Sequence, residues 1–382
     1  MELVRRVKHV FAVAGGKGGV GKSVFAINLS TVLADLGRRV VIVDLDLGGA
    51  NLHTYLGVTG RKNRSLAGFI AKDAKTLDGI LLDTENENLK LISGAEYLPG
   101  MSSPSGWMKD KLLRHLKNLD CDIVVIDLGA GMDLSTLDFF TAADRGFIVT
   151  IPEPGAVMNA YRFLKGALFR KLQNVFRRHV EIGPLLDKFG QNTAQDGAHM
   201  LQWFMDRVAE VDPDVYPVVK EIGEGFRPYL VLNRTPEGET GRLVQTLLSH
   251  CREKYYVDLK YLGNLPDVRA ISDYLLNVPR FMRAPVGREF YRALKDIVVR
   301  LLFDIADIEE LSATIKVRLD FQDAEITAIS ELIDALDDAL FIGTQKKLWK
   351  LRLFFKPAVV VRFLIEKGVR NKMFFDEFLM PP

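Results

Sequence analysis

Cysteine is scarce in this sequence: it occurs only at Cys121 and Cys251, far apart and with no second thiol beside either. That excludes a disulfide framework, a paired-cysteine zinc site and a cysteine-held cluster, and it fits a reducing compartment. Long apolar runs are missing too. No stretch approaches the roughly 18 uninterrupted apolar residues of a membrane-spanning helix. The apolar run that follows the basic start "MELVRRVKH" is short and flows into a glycine loop, so it reads as a first buried strand rather than as a secretory signal. Charge of one sign is lacking as well, since 51 Lys and Arg face 49 Asp and Glu, a formal net charge of +2 over 382 residues. No global field draws the chain onto nucleic acid or anionic lipid, and any such attraction must be local.

Against these absences, 48% of the residues are hydrophobic, enough for a large core. Val/Ile-rich runs such as "RVVIVDLD", "CDIVVIDLG" and "RGFIVTIPEP" alternate with amphipathic stretches such as "KSVFAINLSTVLADLG". Continuous apolar runs bounded by Gly, Asp and Pro suit strands buried on both faces, so the expected fold is α/β, a doubly wound, mostly parallel sheet with helices on each side. Between "TIPEP" and "PYLVLNR" the chain is far longer than the about thirty residues of a strand–helix–strand unit, which predicts a helical insertion at about 170–225. After Leu302 the alternation stops, and Ile326, Ile329, Leu332, Ile333, Leu336 and Leu340 recur at helical spacing. This divides the chain into a domain over 1–302 and a helical C-terminal extension over 303–382.

"GKGGVGKS", Gly16 to Ser23, has the spacing of a phosphate-binding loop of the Walker A type. It follows an expected strand and opens an expected helix, the context that makes the motif specific. Gly16, Gly18, Gly19, Val20 and Gly21 would bring backbone N–H groups to the phosphates. Lys22 would meet the β- and γ-phosphates, the Ser23 hydroxyl would coordinate Mg2+, and Val24 follows on the helix. Lys17 is surplus to such a cradle: by spacing alone it is either a solvated loop lysine or a group with a task elsewhere. Asp127 closes the run "CDIVVIDLG" and reads as a metal-side carboxylate or as a helix cap. Asp44 and Asp46, alternate positions at the end of another strand, face one site.

Taken together, Lys17, "KGGVGKS", "VDLDLGGANLH", "DLGAG" and "PEP" resemble the MinD/ParA family of deviant Walker A ATPases. "DLDLGGANLHTYLG", "IDLGAGMD" and "VTIPEPGAVMNAYRFLKG" are closest to its MinD and FlhG branch, and the similarity runs over most of residues 7–300 apart from the insertion. The resemblance implies hydrolysis of ATP to ADP and phosphate with Mg2+, in an ATP-dependent homodimer whose turnover a protein partner stimulates. In this family the extra lysine, here Lys17, reaches the ATP of the neighbouring subunit, Lys22 serves its own, and Asp46 stands beside the lytic water. Ser23, Asp44 and Asp127 hold the Mg2+ shell, Asn51 lies near the nucleotide interface of the dimer, and Asn233 in "LVLNR" corresponds to the adenine-reading asparagine. The implied output is control of the placement or number of a structure such as a flagellum or division site, from the cytoplasm or the inner face of the membrane. A ParA-like partitioning ATPase that binds DNA nonspecifically, and a scaffold that holds nucleotide without turnover, are the alternatives. Two positions depart from the family pattern: Val24 replaces the second Thr of "GKTT", and Gly49 follows Gly48 where a larger apolar residue is usual.

Relatives that depend on paired cysteines or on a tyrosine-rich terminus are disfavoured, because Cys121 and Cys251 form no pair and the last tyrosine is Tyr291. The tail is asymmetric in charge, acidic up to Leu340 and then basic and aromatic in "TQKKLWKLRLFFK". Packing of the two halves on one another is one explanation, and a peripheral membrane contact through 344–356 is another. Nonspecific DNA binding is the weaker third.

Overall fold

The computed structural model describes residues 9–305 apart from 47–48, 59–63, 71–75, 95–105, 192–196 and 237–240. The tail over 306–382, with the proposed contact segment 344–356, lies outside the described residues. From the N-terminal side run β1 (His9–Ala14), α1 (Lys22–Asp35), β2 (Val40–Leu45), the short α2 (Leu52–Tyr55) and α3 (Leu66–Ile70), β3 (Leu82–Asp83) and β4 (Leu89–Ile92). They are followed by α4 (Gly106–Lys117), β5 (Ile123–Leu128), α5 (Leu134–Ala142) and β6 (Arg145–Thr150). Four helices come next, α6 (Pro154–Phe176), α7 (Ile182–Gln191), α8 (Gly197–Val211) and α9 (Val215–Gly225). β7 (Tyr229–Thr235), α10 (Gly241–Tyr255), β8 (Lys260–Pro266), α11 (Val278–Arg283) and α12 (Arg288–Ile305) complete the described chain.

The strands form one sheet in the order β3-β4-β2-β5-β1-β6-β7-β8. Every neighbouring pair is parallel except β3 with β4. β2 and β5 are buried along their whole length and β1 along all but its first residue, as expected of Val/Ile runs covered by helices on both faces. Phe147 of β6 centres an aromatic cluster, with Phe11, Phe25 and Tyr229 at ring-centroid distances of 5.5, 5.7 and 5.1 Å. β1 lies between β5 and β6, and the chain winds away from it on both sides. That switch point opens a crevice at the carboxyl end of β1, where α/β sheets bind ligands.

The segment expected as a helical insertion, 170–225, holds the last turns of α6 and all of α7, α8 and α9. Its inward faces bury Ile182, Leu186, Phe204, Met205, Val208 and Val219, and the Phe169 and Phe204 rings meet edge to face at 6.1 Å. One ionic node ties α4, α5 and α6 together: Asp138 accepts from Arg170 Nε at 2.5 Å and Nη2 at 3.0 Å and pairs with Lys109. By compactness the chain divides within α12, into Met1–Ala293 and Leu294–Pro382. No helix among the described residues is long and apolar enough to cross a membrane.

Candidate active site

The loop between β1 and α1 turns through two left-handed glycines, Gly19 at φ 78° and Gly21 at φ 91°, a conformation that costs an L side chain but not glycine. Alternation of this kind turns successive N–H groups inward and makes an anion-binding concavity. Lys17, Gly18 and Gly19 are exposed at its tip, whereas Val20 and Lys22 are buried at its base. Gly16 is pressed against α6, where a β-carbon would stand 2.1 Å from the Asn159 carbonyl oxygen. Helix α1 starts with the Phe25 N–H donating to the Gly21 carbonyl at 2.9 Å.

Three carboxylates converge beside the loop. Asp44 and Asp127 are direct partners in the β2/β5 register and both are buried. The backbone N–H groups of Asn51 and Leu52 donate to Asp44 Oδ2 at 2.9 and 3.0 Å, and that of Asp46 to Oδ1 at 3.2 Å. Burial nonetheless pushes Asp44 up to about 6 against these donors. Asp127 is pushed up to about 8 by burial and by the charge of Asp44, opposed by the Ser23 hydroxyl and the Lys22 ammonium. Its Oδ1 is buried without a protein partner. The Asp46 carboxylate lies at the mouth of this group against Gly129, where a β-carbon would come within 3.3 Å of Oδ1. A cap role does not apply to Asp127, because α5 is capped by Asp133, whose Oδ1 accepts from the Ser135 and Thr136 N–H groups.

Magnesium fits this donor set. A buried pair of carboxylates with one orphaned oxygen and a serine hydroxyl in contact is the hard-oxygen surrounding such a cation takes. Among the described residues no group of three His, Cys, Asp or Glu side chains is placed to hold a metal ion by itself.

Two further features frame the loop. Lys17 Nζ stands 3.9 Å from Glu153 Oε2, with the two side chains 51% and 61% exposed; an ion pair so long and so wet contributes little. Where the carboxyl ends of β6, β7 and β8 meet α1, a cavity of about 730 Å³ is walled by Val24, Ile151, Pro152, Pro266, Val268 and Ile271, with Asn233, Asp267 and Ser272 as polar groups. Glu153, Arg234 and Arg269 also line it, so it is a cleft of mixed character, with apolar walls for a flat heterocycle and charged groups at its border. Asn233 Nδ2 donates to the Val20 carbonyl at 2.9 Å.

Thus Ser23, Asp44, Asp46 and Asp127 gather at one face of the loop, while Val24 and Asn233 line the cavity. Asn51 contributes its backbone N–H to the support of Asp44. Sequence reasoning quoted "PEP" without giving Glu153 a role and missed the wall at the end of β8, although "NLPDV", where Pro266 closes the strand and Asp267 follows it, signals a binding turn of the same kind as "VTIPEP".

Residues 6–176 match the ParA family model, described as that of the NUBPL iron-transfer P-loop NTPases. The antiactivator FleN of Pseudomonas aeruginosa is 35% identical over 159 residues, 41% of this chain and 55% of that protein. The flagellum site-determining protein YlxH of Helicobacter pylori is 36% identical over 162 residues, 40% of this chain and 52% of that protein. The septum site-determining protein MinD of Bacillus subtilis is 31% identical over 156 residues, 41% of this chain and 58% of that protein. The chain therefore spans little more than half the length of the curated relatives it matches. In fold it is similar to the solved Mg-ADP complex of MinD from Pyrococcus horikoshii, with a TM-score of 0.51 at 21% identity over 78% of this chain and 99% of that one. The iron transfer in the family's description finds no thiolate pair here: Cys121 and Cys251 are buried, and burial pushes both thiols up to about 12. With a second lysine at the tip of its phosphate loop and strand-end carboxylates beside it, the segment 6–176, somewhat less than half of the chain, matches the ParA family model and is similar to FleN, YlxH and MinD.

Proposed function

We propose that the chain is an ATP-dependent, dimerising switch that hydrolyses ATP to ADP and phosphate and so times the placement or number of a cellular structure, a reading supported by its likeness to the antiactivator FleN and the site-determining proteins YlxH and MinD. Lys22 and the loop amides hold the β- and γ-phosphates, and Ser23, Asp44 and Asp127 hold Mg2+, which supplies charge neutralisation on the phosphate oxygens when bound. Asp46, at the mouth of the carboxylate group, orients the attacking water. Adenine occupies the cavity lined by Val24 and Asn233. A protein partner sets the turnover rate, and the domain limits follow the ATPase portion up to about 302 and the tail beyond it.

The observation that carries this reading is the position of Lys17. It stands at the exposed tip of the loop, and among the described residues its ion pair is a 3.9 Å wet one with Glu153, a contact weak enough to leave it to serve a phosphate outside its own cradle. In an ATP-bridged dimer that phosphate belongs to the other subunit, where the ammonium acts as an arginine finger does. Lys17→Ala is expected to bind ATP within about threefold of the wild type, since the buried Lys22 remains, yet to stay monomeric in sedimentation with a non-hydrolysable ATP analogue. A normal ATP-dependent dimer in that variant overturns the reading.

A further inference from the structure

We infer that Asn233 is a positioning residue for the phosphate loop: from the wall of the base cavity it sets the direction in which one loop amide points. This role presupposes that the loop binds nucleotide phosphates, as proposed above. Asn233 is buried near the carboxyl end of β7, and its Nδ2 donates to the Val20 carbonyl oxygen at 2.9 Å, a contact between residues 213 apart in the chain. A carbonyl oxygen can only accept, so the contact itself identifies the nitrogen end of the carboxamide. No cis peptide bond occurs among the described residues, and in a trans peptide the C=O and N–H of one plane point in opposite directions. With the Val20 carbonyl held toward Asn233, the Gly21 N–H is therefore aimed away from Asn233. Among the described residues no backbone carbonyl accepts that N–H, which leaves it available to an anion.

This orientation is not guaranteed by the loop alone. Gly21 sits at φ 91°, and a glycine lets the adjoining peptide plane turn over at little cost. The same glycine makes room for the tether, because a β-carbon at Gly21 would lie 2.2 Å from Asn233 Nδ2. Asn233 also lines the cavity that suits the base, so one side chain belongs to both halves of the nucleotide site. One Nδ2 hydrogen is spent on the loop, which leaves the second hydrogen and the carboxamide oxygen for a ligand in the cavity.

A base-reading asparagine matters only to ligands that carry a base; a positioning asparagine matters also to bare polyphosphate. The experiment is calorimetric titration of wild type, Asn233→Ala and Asn233→Leu with Mg2+-tripolyphosphate and with Mg2+-ATP. Leu keeps the shape of Asn and removes the donor. Tripolyphosphate affinity is expected to fall about tenfold in both variants, the effect of misdirecting one charge-assisted hydrogen bond, and ATP affinity at least as much. In the wild type the Gly21 amide proton resonance is expected to shift when tripolyphosphate binds, and in the Leu variant to lose most of that shift. Tripolyphosphate affinity within twofold of wild type in a folded variant overturns the role. Should neither variant fold, a through-hydrogen-bond coupling between Asn233 Nδ2 and the Val20 carbonyl carbon in the wild-type tripolyphosphate complex decides it, and its absence overturns the role. Failure of the wild type to bind either ligand overturns the nucleotide reading instead.

Discussion

Replacing Asp127 by Asn should stabilise the protein without ligand while crippling its nucleotide site. Asp127 is buried opposite Asp44, and its carboxyl is pushed from 3.8 up to about 8. The sign follows from that rise. Below pH 3.8 the group is protonated whether the chain is folded or not and costs nothing. As pH climbs, the unfolded chain ionises first, the fold is penalised, and the penalty levels off once the folded group ionises near pH 8. At pH 7 the gap amounts to roughly three pH units, a ceiling of about 4 kcal/mol. An asparagine amide still loses its hydration there, so a net gain of about 2 kcal/mol is expected. For a chain of this size that raises the melting temperature by about 2–3 °C. The assay is thermal unfolding followed by circular dichroism with EDTA and without nucleotide at pH 5, 6, 7 and 8, repeated with Mg2+-ATP. The advantage of the variant should widen from pH 5 to pH 8 and reverse when ligand is added, because only the wild type gains binding energy. A variant no more stable than wild type at pH 7, or a gap indifferent to pH, refutes the reasoning.

Asp46→Ala should bind ATP and dimerise yet release phosphate at least 100-fold more slowly, the usual scale for loss of a group that orients the attacking water; unchanged phosphate release removes Asp46 from catalysis. Gly16→Ala forces a methyl within 2.1 Å of the Asn159 carbonyl and should cost about 2–3 kcal/mol, read as a lower urea midpoint. A midpoint equal to wild type would mean that α6 yields freely. Asp138→Ala strands Lys109 and Arg170 and should cost about 3 kcal/mol at pH 7. Burial alone would raise the Asp138 carboxyl, but Arg170 and Lys109 hold it below 3.8. Its stabilisation is therefore present above about pH 4 and is lost on acidification, so wild type and variant should converge in acid; a constant difference down to pH 2 contradicts the ionic account.

Much of this protein is written locally in its chain. The Val/Ile runs specify strands covered on both faces, and "GKGGVGKS" specifies a phosphate loop through glycines that accept φ values closed to other residues. The carboxylates after two such runs follow from the rule that parallel sheets present their strand ends to a ligand. Short-range sterics and hydrophobic periodicity act within a few residues, which is why these features are legible without coordinates.

What the chain cannot announce is which distant groups meet. Whether Asp127 was a helix cap or a site carboxylate turned on Asp133 taking the cap and on Asp44 lying opposite in the β2/β5 register. That Lys17 faces Glu153 outside the cradle depends on β6 lying beside β1. That Asn233 grips the phosphate loop depends on β7 following β6 in the sheet, which brings together residues 213 positions apart. Burial, pairing and hydrogen-bond direction are properties of three-dimensional neighbours, so the charge state of Asp127 and the aim of the Gly21 amide were decided by the tertiary structure alone.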